Sequence, residues 1–148
     1  MKKKPDFMGN FMLLEDEEQQ RIREKYAGIT KEMYIERVRL GCGFFSMFIE
    51  EREKKGDLEI ISGRITDNYG EAIFTGELGK DFIKFVKRYY EGDSGMDCEI
   101  PYEAKLDNLS KIFLGKYFMR EEKESWHGIF ILQSTESILK EAFGTQLN

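Results

Sequence analysis

Residues 98–106 read Cys98-Glu99-Ile100-Pro101-Tyr102-Glu103-Ala104-Lys105-Leu106, with Ile100, Tyr102, Ala104 and Leu106 alternating against Glu99, Glu103 and Lys105. A period of two puts the apolar set on one face of a strand and the charged set on the other, which a helix of 3.6 residues per turn cannot do. The same period runs outward toward the N terminus. Ile83, Phe85 and Tyr89 share a face with Lys87; before them Ala72, Phe74, Gly76 and Leu78 alternate with Glu71, Thr75 and Glu77. Leu58 to Thr66 forms another strand, closed by the turn Asp67-Asn68-Tyr69-Gly70. Phe45, Met47 and Ile49 alternate with Phe44, Ser46 and Phe48, apolar on both faces, ahead of the charged run Glu50 to Lys55 and the turn at Gly56-Asp57. On the C-terminal side, beyond the polar loop Glu91 to Asp97 and the 98–106 strand, strands over about Ile112 to Arg120 and Gly128 to Gln133 flank a charged turn.

Seven strands spaced by short turns predict a mainly β fold, an antiparallel meander over residues 42–134 that closes into a small barrel of about seven or eight strands. A closed sheet has no free edge, and an interior of Phe, Tyr and Ile accounts for the 14% aromatic content. Gly63, Gly76 and Gly115 fall inside strand patterns and predict bends or bulges. Residues 1–41 read as a helical segment packing on the barrel. After the apolar stretch Phe11 to Leu14, Glu15 to Ala27 carries acidic residues first and Arg21, Arg23 and Lys25 near its end, with Gly28 beyond. Thr30 caps a second helix over Lys31 to Leu40, with Tyr34 and Val38 on one face, although Val38 and Leu40 equally suit the start of a strand. Ser134 or Thr135 caps a short helix over residues 135–144 carrying Ile138, Leu139, Ala142 and Phe143. The whole of 1–148 forms a single domain.

The formal net charge is −5, which disfavours binding to nucleic acid. Lys2, Lys3 and Lys4 are followed by Pro5 and Asp6 without an apolar run, so no secretion signal is expected. No stretch has the length of an apolar spanning helix, and no membrane insertion is expected. Cys42 and Cys98 are far apart and read as buried reduced thiols in a cytoplasmic protein, a single disulfide being the alternative.

The run Gly63-Arg64-Ile65-Thr66-Asp67-Asn68-Tyr69-Gly70-Glu71-Ala72-Ile73-Phe74-Thr75-Gly76, followed by Phe85 and Lys87, resembles the central hairpin of small lipocalin-like and avidin-like barrels of the calycin type. Gly115-Lys116-Tyr117 and Gly128-Ile129-Phe130-Ile131-Leu132 resemble their closing hairpin. The likeness spans about residues 63–132; it implies a barrel that holds a small apolar ligand, and it carries over no catalytic residue. The N-terminal helical segment, and the lack of the signal peptide and disulfides common in secreted members, depart from that pattern.

Chemistry-bearing residues are sparse. His127 lies between Trp126 and Gly128 with no nucleophile in view, and reads as a histidine at a strand start. Ser137 and Lys140 have the Ser-x-x-Lys spacing of a nucleophile beside a base, without the partner motifs of that enzyme class. No catalytic residue, metal site or cofactor is assigned. Lys87 is the informative residue, because strict alternation puts its charge on an apolar face. One reading is a rim lysine whose stem packs while its ammonium reaches water. The other is a cation meeting the acidic group of a ligand, with Tyr89, Tyr102 and Tyr117 offering hydroxyls from neighbouring inward positions. On that second reading, Lys87→Met leaves stability unchanged or higher. The functional expectation is therefore a non-catalytic barrel binding a small apolar or acidic molecule at these four residues. The alternatives are a module that docks a protein partner through the stripe Ile22, Tyr26, Tyr34 and Val38, and an enzyme with a barrel-lined pocket.

Overall fold

Alternation at eight places along the chain produces eight strands, each hydrogen-bonded antiparallel to its chain neighbour and the last to the first, so the sheet closes. The computed structural model describes residues 3–13, 30–41, 43–90, 99–118 and 126–143. In chain order the elements are β1 (Phe7–Leu13), α1 (Lys31–Leu40), β2 (Gly43–Lys55), β3 (Leu58–Asp67), β4 (Gly70–Leu78), β5 (Phe82–Tyr89), β6 (Glu99–Asp107), β7 (Ile112–Phe118), β8 (Trp126–Ser134) and α2 (Thr135–Phe143). The helix read over Glu15 to Ala27, both cysteines and the loop Glu91 to Asp97 lie outside the described residues.

The N-terminal segment is not wholly helical, contrary to the reading of 1–41. Phe7–Leu13 is a strand that pairs with β2 through Phe7↔Met47 and with β8 through Phe7↔Ser134. Its alternation is masked in sequence because a glycine, Gly9, stands at an inward position between Phe7 and Phe11. The absent side chain is needed there: a Cβ on Gly9 would collide with the Phe45 ring. Without this strand, β2 and β8 would both present open edges.

The inward residues form one apolar core, with Met47, Ile61, Ile65, Phe74, Ile83 and Phe130 almost fully buried. The outward phase of β4 to β6 is instead rich in Glu, Lys and Arg, the reverse of the apolar-out pattern of barrels that cross membranes. Among the described residues no helix is long and apolar enough to cross a membrane. The charged run Glu50 to Lys55 continues β2 as strand, past a bulge between Ile49 and Glu51. Gly63 faces that bulge, and a Cβ on it would strike the Phe48 carbonyl oxygen. Backbone that close allows only glycine.

Thr30 caps α1 by accepting from the Met33 amide at 3.3 Å. Tyr34 and Val38, one turn apart, are buried on the outer wall against Ile112, Phe118, Ile129 and Ile131. The Tyr34 hydroxyl donates to the Gly115 carbonyl at 2.5 Å. The docking stripe expected from the sequence is thus spent within the fold at Tyr34 and Val38, while Ile22 and Tyr26 lie outside the described residues. Ser134 accepts from the Ser137 amide to start α2. That helix buries no side chain, and its Lys140 sits 3.4 Å from Glu136, one turn back on the same helix.

The two barrel ends differ. Connections at 56–57, 79–81 and 108–111 are short and share one end; the other carries the 68–69 turn and the longer connections 14–42, 90–98 and 119–125.

Candidate functional site

Near the end with the longer connections, the apolar core gives way to a polar cluster. Asp67 closes β3 in the inward phase of Ile61 and Ile65, and Tyr89 closes β5 two residues after Lys87. Strand β4 runs between them, and its facing residues are Gly70, opposite Asp67, and Ala72, opposite Tyr89. Their small size leaves room for side chains from β3 and β5 to meet across β4.

The Lys87 ammonium donates to Asp67 Oδ2 at 2.7 Å and to the Tyr89 hydroxyl at 2.9 Å, and that hydroxyl donates to the same carboxylate oxygen at 2.5 Å. The other oxygen, Oδ1, accepts from the Tyr69 amide at 2.8 Å, which anchors the carboxylate in its turn. The side chains of Lys87 and Asp67 are 3% and 0% exposed, so this ion pair is shut off from water. The ammonium also lies 4.6 Å from the Tyr89 ring centre, 5.1 Å from that of Tyr102 and 5.9 Å from that of Phe11, close enough for cation–π attraction. The rim reading of Lys87 is thereby replaced by a buried one.

Tyr102, on β6, stacks on Phe85 at 4.6 Å between ring centres and on Tyr117 at 5.2 Å, building a slab of three rings across β5, β6 and β7. Only 3% of Tyr102 is exposed, and among the described residues its hydroxyl has no hydrogen-bond partner. Tyr117 faces Gly128 across the β7–β8 pair, and a Cβ there would collide with its phenol. Burial raises the pKa of all three phenols well above the ordinary tyrosine value. For Tyr89 this outweighs the opposing pull of Lys87; for Tyr102 the Asp67 charge adds to it, and for Tyr117 the phenols of Tyr102 and Tyr69 do. These groups stay protonated at neutral pH and are hydrogen-bond donors, not bases.

The structure therefore brings Lys87, Tyr89, Tyr102 and Tyr117 to one interior, as the strand phases predict. Asp67 is not among the site residues expected from the sequence, because its place in Asp67-Asn68-Tyr69-Gly70 reads as the start of a turn. Its signal was available: it continues the Ile61, Ile65 phase by one step, and an inward lysine needs a counter-ion. Among the described residues, grooves lie elsewhere that these residues do not line. One of about 890 Å³ runs beside Lys84, Glu103, Leu106 and Lys116 on the outer wall, and one of about 270 Å³ lies between Arg39, Phe44 and Ile138. Among the described residues no three His, Cys, Asp or Glu side chains gather to hold a metal, and nothing is described of the His127 side chain. No protein-family model, curated protein or solved structure matches the chain.

Proposed function

We propose that the protein is a non-catalytic, cytoplasmic β-barrel that binds a small apolar or acidic molecule, on the plan of lipocalin-like and avidin-like barrels. Lys87, Tyr89, Tyr102 and Tyr117 supply the polar contacts. The observation that carries this reading is a buried ion pair beside the buried Tyr102 hydroxyl, which has no hydrogen-bond partner among the described residues, inside a largely apolar core. A buried ion pair is often matched or bettered in stability by apolar residues of its own size, and an unmade buried hydrogen bond costs about 1–3 kcal/mol. Polar groups kept at such cost support a functional reading. Their place near the end with the longer connections suits entry there.

Native mass spectrometry of freshly purified protein tests the reading. A stoichiometric small-molecule adduct, lost on unfolding, is expected. A mass equal to the bare chain, with no change in melting temperature after extraction with organic solvent, would refute it.

One observation favours docking of a protein partner as a second reading: Phe44, Phe143 and Met8 are 56%, 53% and 43% exposed on or near α2 and the strands beneath it. This surface differs from the stripe expected from the sequence. Phe44→Ser with Phe143→Ser should then abolish a stoichiometric complex seen with the unaltered chain; an unaltered chain that purifies alone contradicts this reading.

A further inference from the structure

The outer wall of β5, β6 and β7 carries the groove of about 890 Å³, a size that suits a small molecule. Ala104 and Gly115, the smallest residues of β6 and β7, face each other at inward positions and let the wall sink toward the barrel axis; both line the groove. A Cβ on Gly115 would strike the Glu103 carbonyl oxygen, so the close approach depends on the glycine. Register then sets two rows of outward side chains across this floor. Lys84, Glu103 and Lys116 stand opposite one another in one row, and Phe82, Lys105 and Leu114 in the next. Opposed side chains are about 5 Å apart at Cβ and diagonal ones about 7 Å, so three lysines surround one glutamate. They leave an excess of two positive charges on a chain whose formal net charge is −5. All three lysines are exposed, and neither Lys84 nor Lys105 makes an ion pair among the described residues. Phe82 and Leu114 lie half-buried on either side of Lys105. Asp81 and Asp107 line the end beside the short connections, where the Asp107 carboxylate accepts from the Ser110 amide and hydroxyl.

We infer that this groove binds a phosphate monoester carried on an uncharged apolar body. The doubly charged head matches the excess of two positive charges and accepts from Lys84, Lys105 and Lys116, whose flexible stems bring compact ammonium charges to phosphate oxygens. The body lies along Phe82 and Leu114. It carries no negative charge, because Asp81 and Asp107 at that end would repel one. The site faces away from the barrel interior and does not rest on the reading of Lys87 as a ligand contact.

Isothermal titration calorimetry of the full chain at about pH 8, where a phosphate monoester carries close to two charges, compares octyl phosphate with octanol and with inorganic phosphate. Octyl phosphate should bind at a single site, about tenfold or more tighter than either comparison compound, and should weaken as salt is added. Lys84→Met and Lys105→Met keep an apolar stem at exposed positions and should leave the melting temperature unchanged. Each should weaken octyl phosphate about threefold, and the double variant about tenfold, as for ion pairs open to solvent. Lys54→Met, on the exposed run of β2 outside the groove, should leave the affinity as it is. Octanol binding as tightly as octyl phosphate overturns the inference, since the lysines then read no charge. Inorganic phosphate binding as tightly overturns it too, since the apolar row then contributes nothing. Equal losses in Lys54→Met and the groove variants would reduce the effect to overall charge, and no binding of octyl phosphate would end it. The interior reading stands or falls separately: a small-molecule adduct held inside the barrel should persist in native mass spectrometry of the Lys84→Met, Lys105→Met double variant.

Discussion

The Lys87 ammonium and the Asp67 carboxylate form an ion pair of 2.7 Å, reaching across β4 from β5 and β3, with both side chains closed to solvent. Removing one partner leaves the other charge buried and uncompensated, so Lys87→Met and Asp67→Asn should each cost about 3–5 kcal/mol in urea unfolding. This reverses the sequence-based expectation that Lys87→Met leaves stability intact, and the reason is Asp67. The double replacement should recover most of the loss. Two single losses below about 1 kcal/mol would mean that water reaches the pair.

Glycines in this barrel separate into two kinds. Gly63→Ala drives a Cβ into the Phe48 carbonyl beside the β2 bulge, where only backbone can yield, and should cost at least about 3 kcal/mol. Gly56 has φ +60° in the β2–β3 turn with open space around it, so Gly56→Ala should cost only about 1 kcal/mol of backbone strain. Equal shifts in melting temperature would contradict the close approach at Gly63.

Alkaline pH should expose the buried phenols. Tyr89, Tyr102 and Tyr117 titrate in the folded state above their ordinary value of 10.0, so the native chain holds protons that the unfolded chain has released. Their contribution to stability is complete below pH 10 and falls as pH rises from there through the folded values, with a limiting slope of about 1.4 kcal/mol per pH unit for each group. Tyrosinate absorbance followed during the titration should show the phenols of Tyr89, Tyr102 and Tyr117 ionising only with unfolding. Early ionisation of Tyr102, located by comparison with Tyr102→Phe, would show that water reaches its hydroxyl.

Helix α1 is held to the barrel by hydrogen bonds that include those from Tyr34 and Arg39, and by an apolar patch. Tyr34→Phe removes the bond to the Gly115 carbonyl and should cost about 1 kcal/mol. Val38→Ala, at a fully buried position, should cost about 2 kcal/mol from lost transfer energy and a small cavity. Hydrogen exchange over α1 should speed up in both variants while the exchange of β3 to β5 holds. Uniform acceleration would mean that helix and barrel unfold as one unit.

Much of this molecule is written in local pattern. Successive Cβ atoms on a strand point to opposite faces, so Ile83, Phe85, Lys87 and Tyr89 share a side whatever surrounds them, and the same holds for Ile100, Tyr102 and Ala104. The cap at Thr30 and the extent of α1 are likewise local, since the bonds that end a helix reach only a turn away. The charge on the inward face at Lys87 was legible for the same reason.

Tertiary structure alone decided what those faces meet. Closure by β1 depends on Phe7 pairing with Ser134, residues from opposite ends of the chain, and no window of sequence contains both. The Asp67 to Lys87 bond depends on the registers of two hairpins and on two small residues of β4 between them. Burial of Tyr34 and Val38 depends on an outer wall assembled from β7 and β8. Alternation specifies a direction for each side chain, but a partner is specified only when separate strands lock into register, which is why the cation was visible in the sequence and its counter-ion was not.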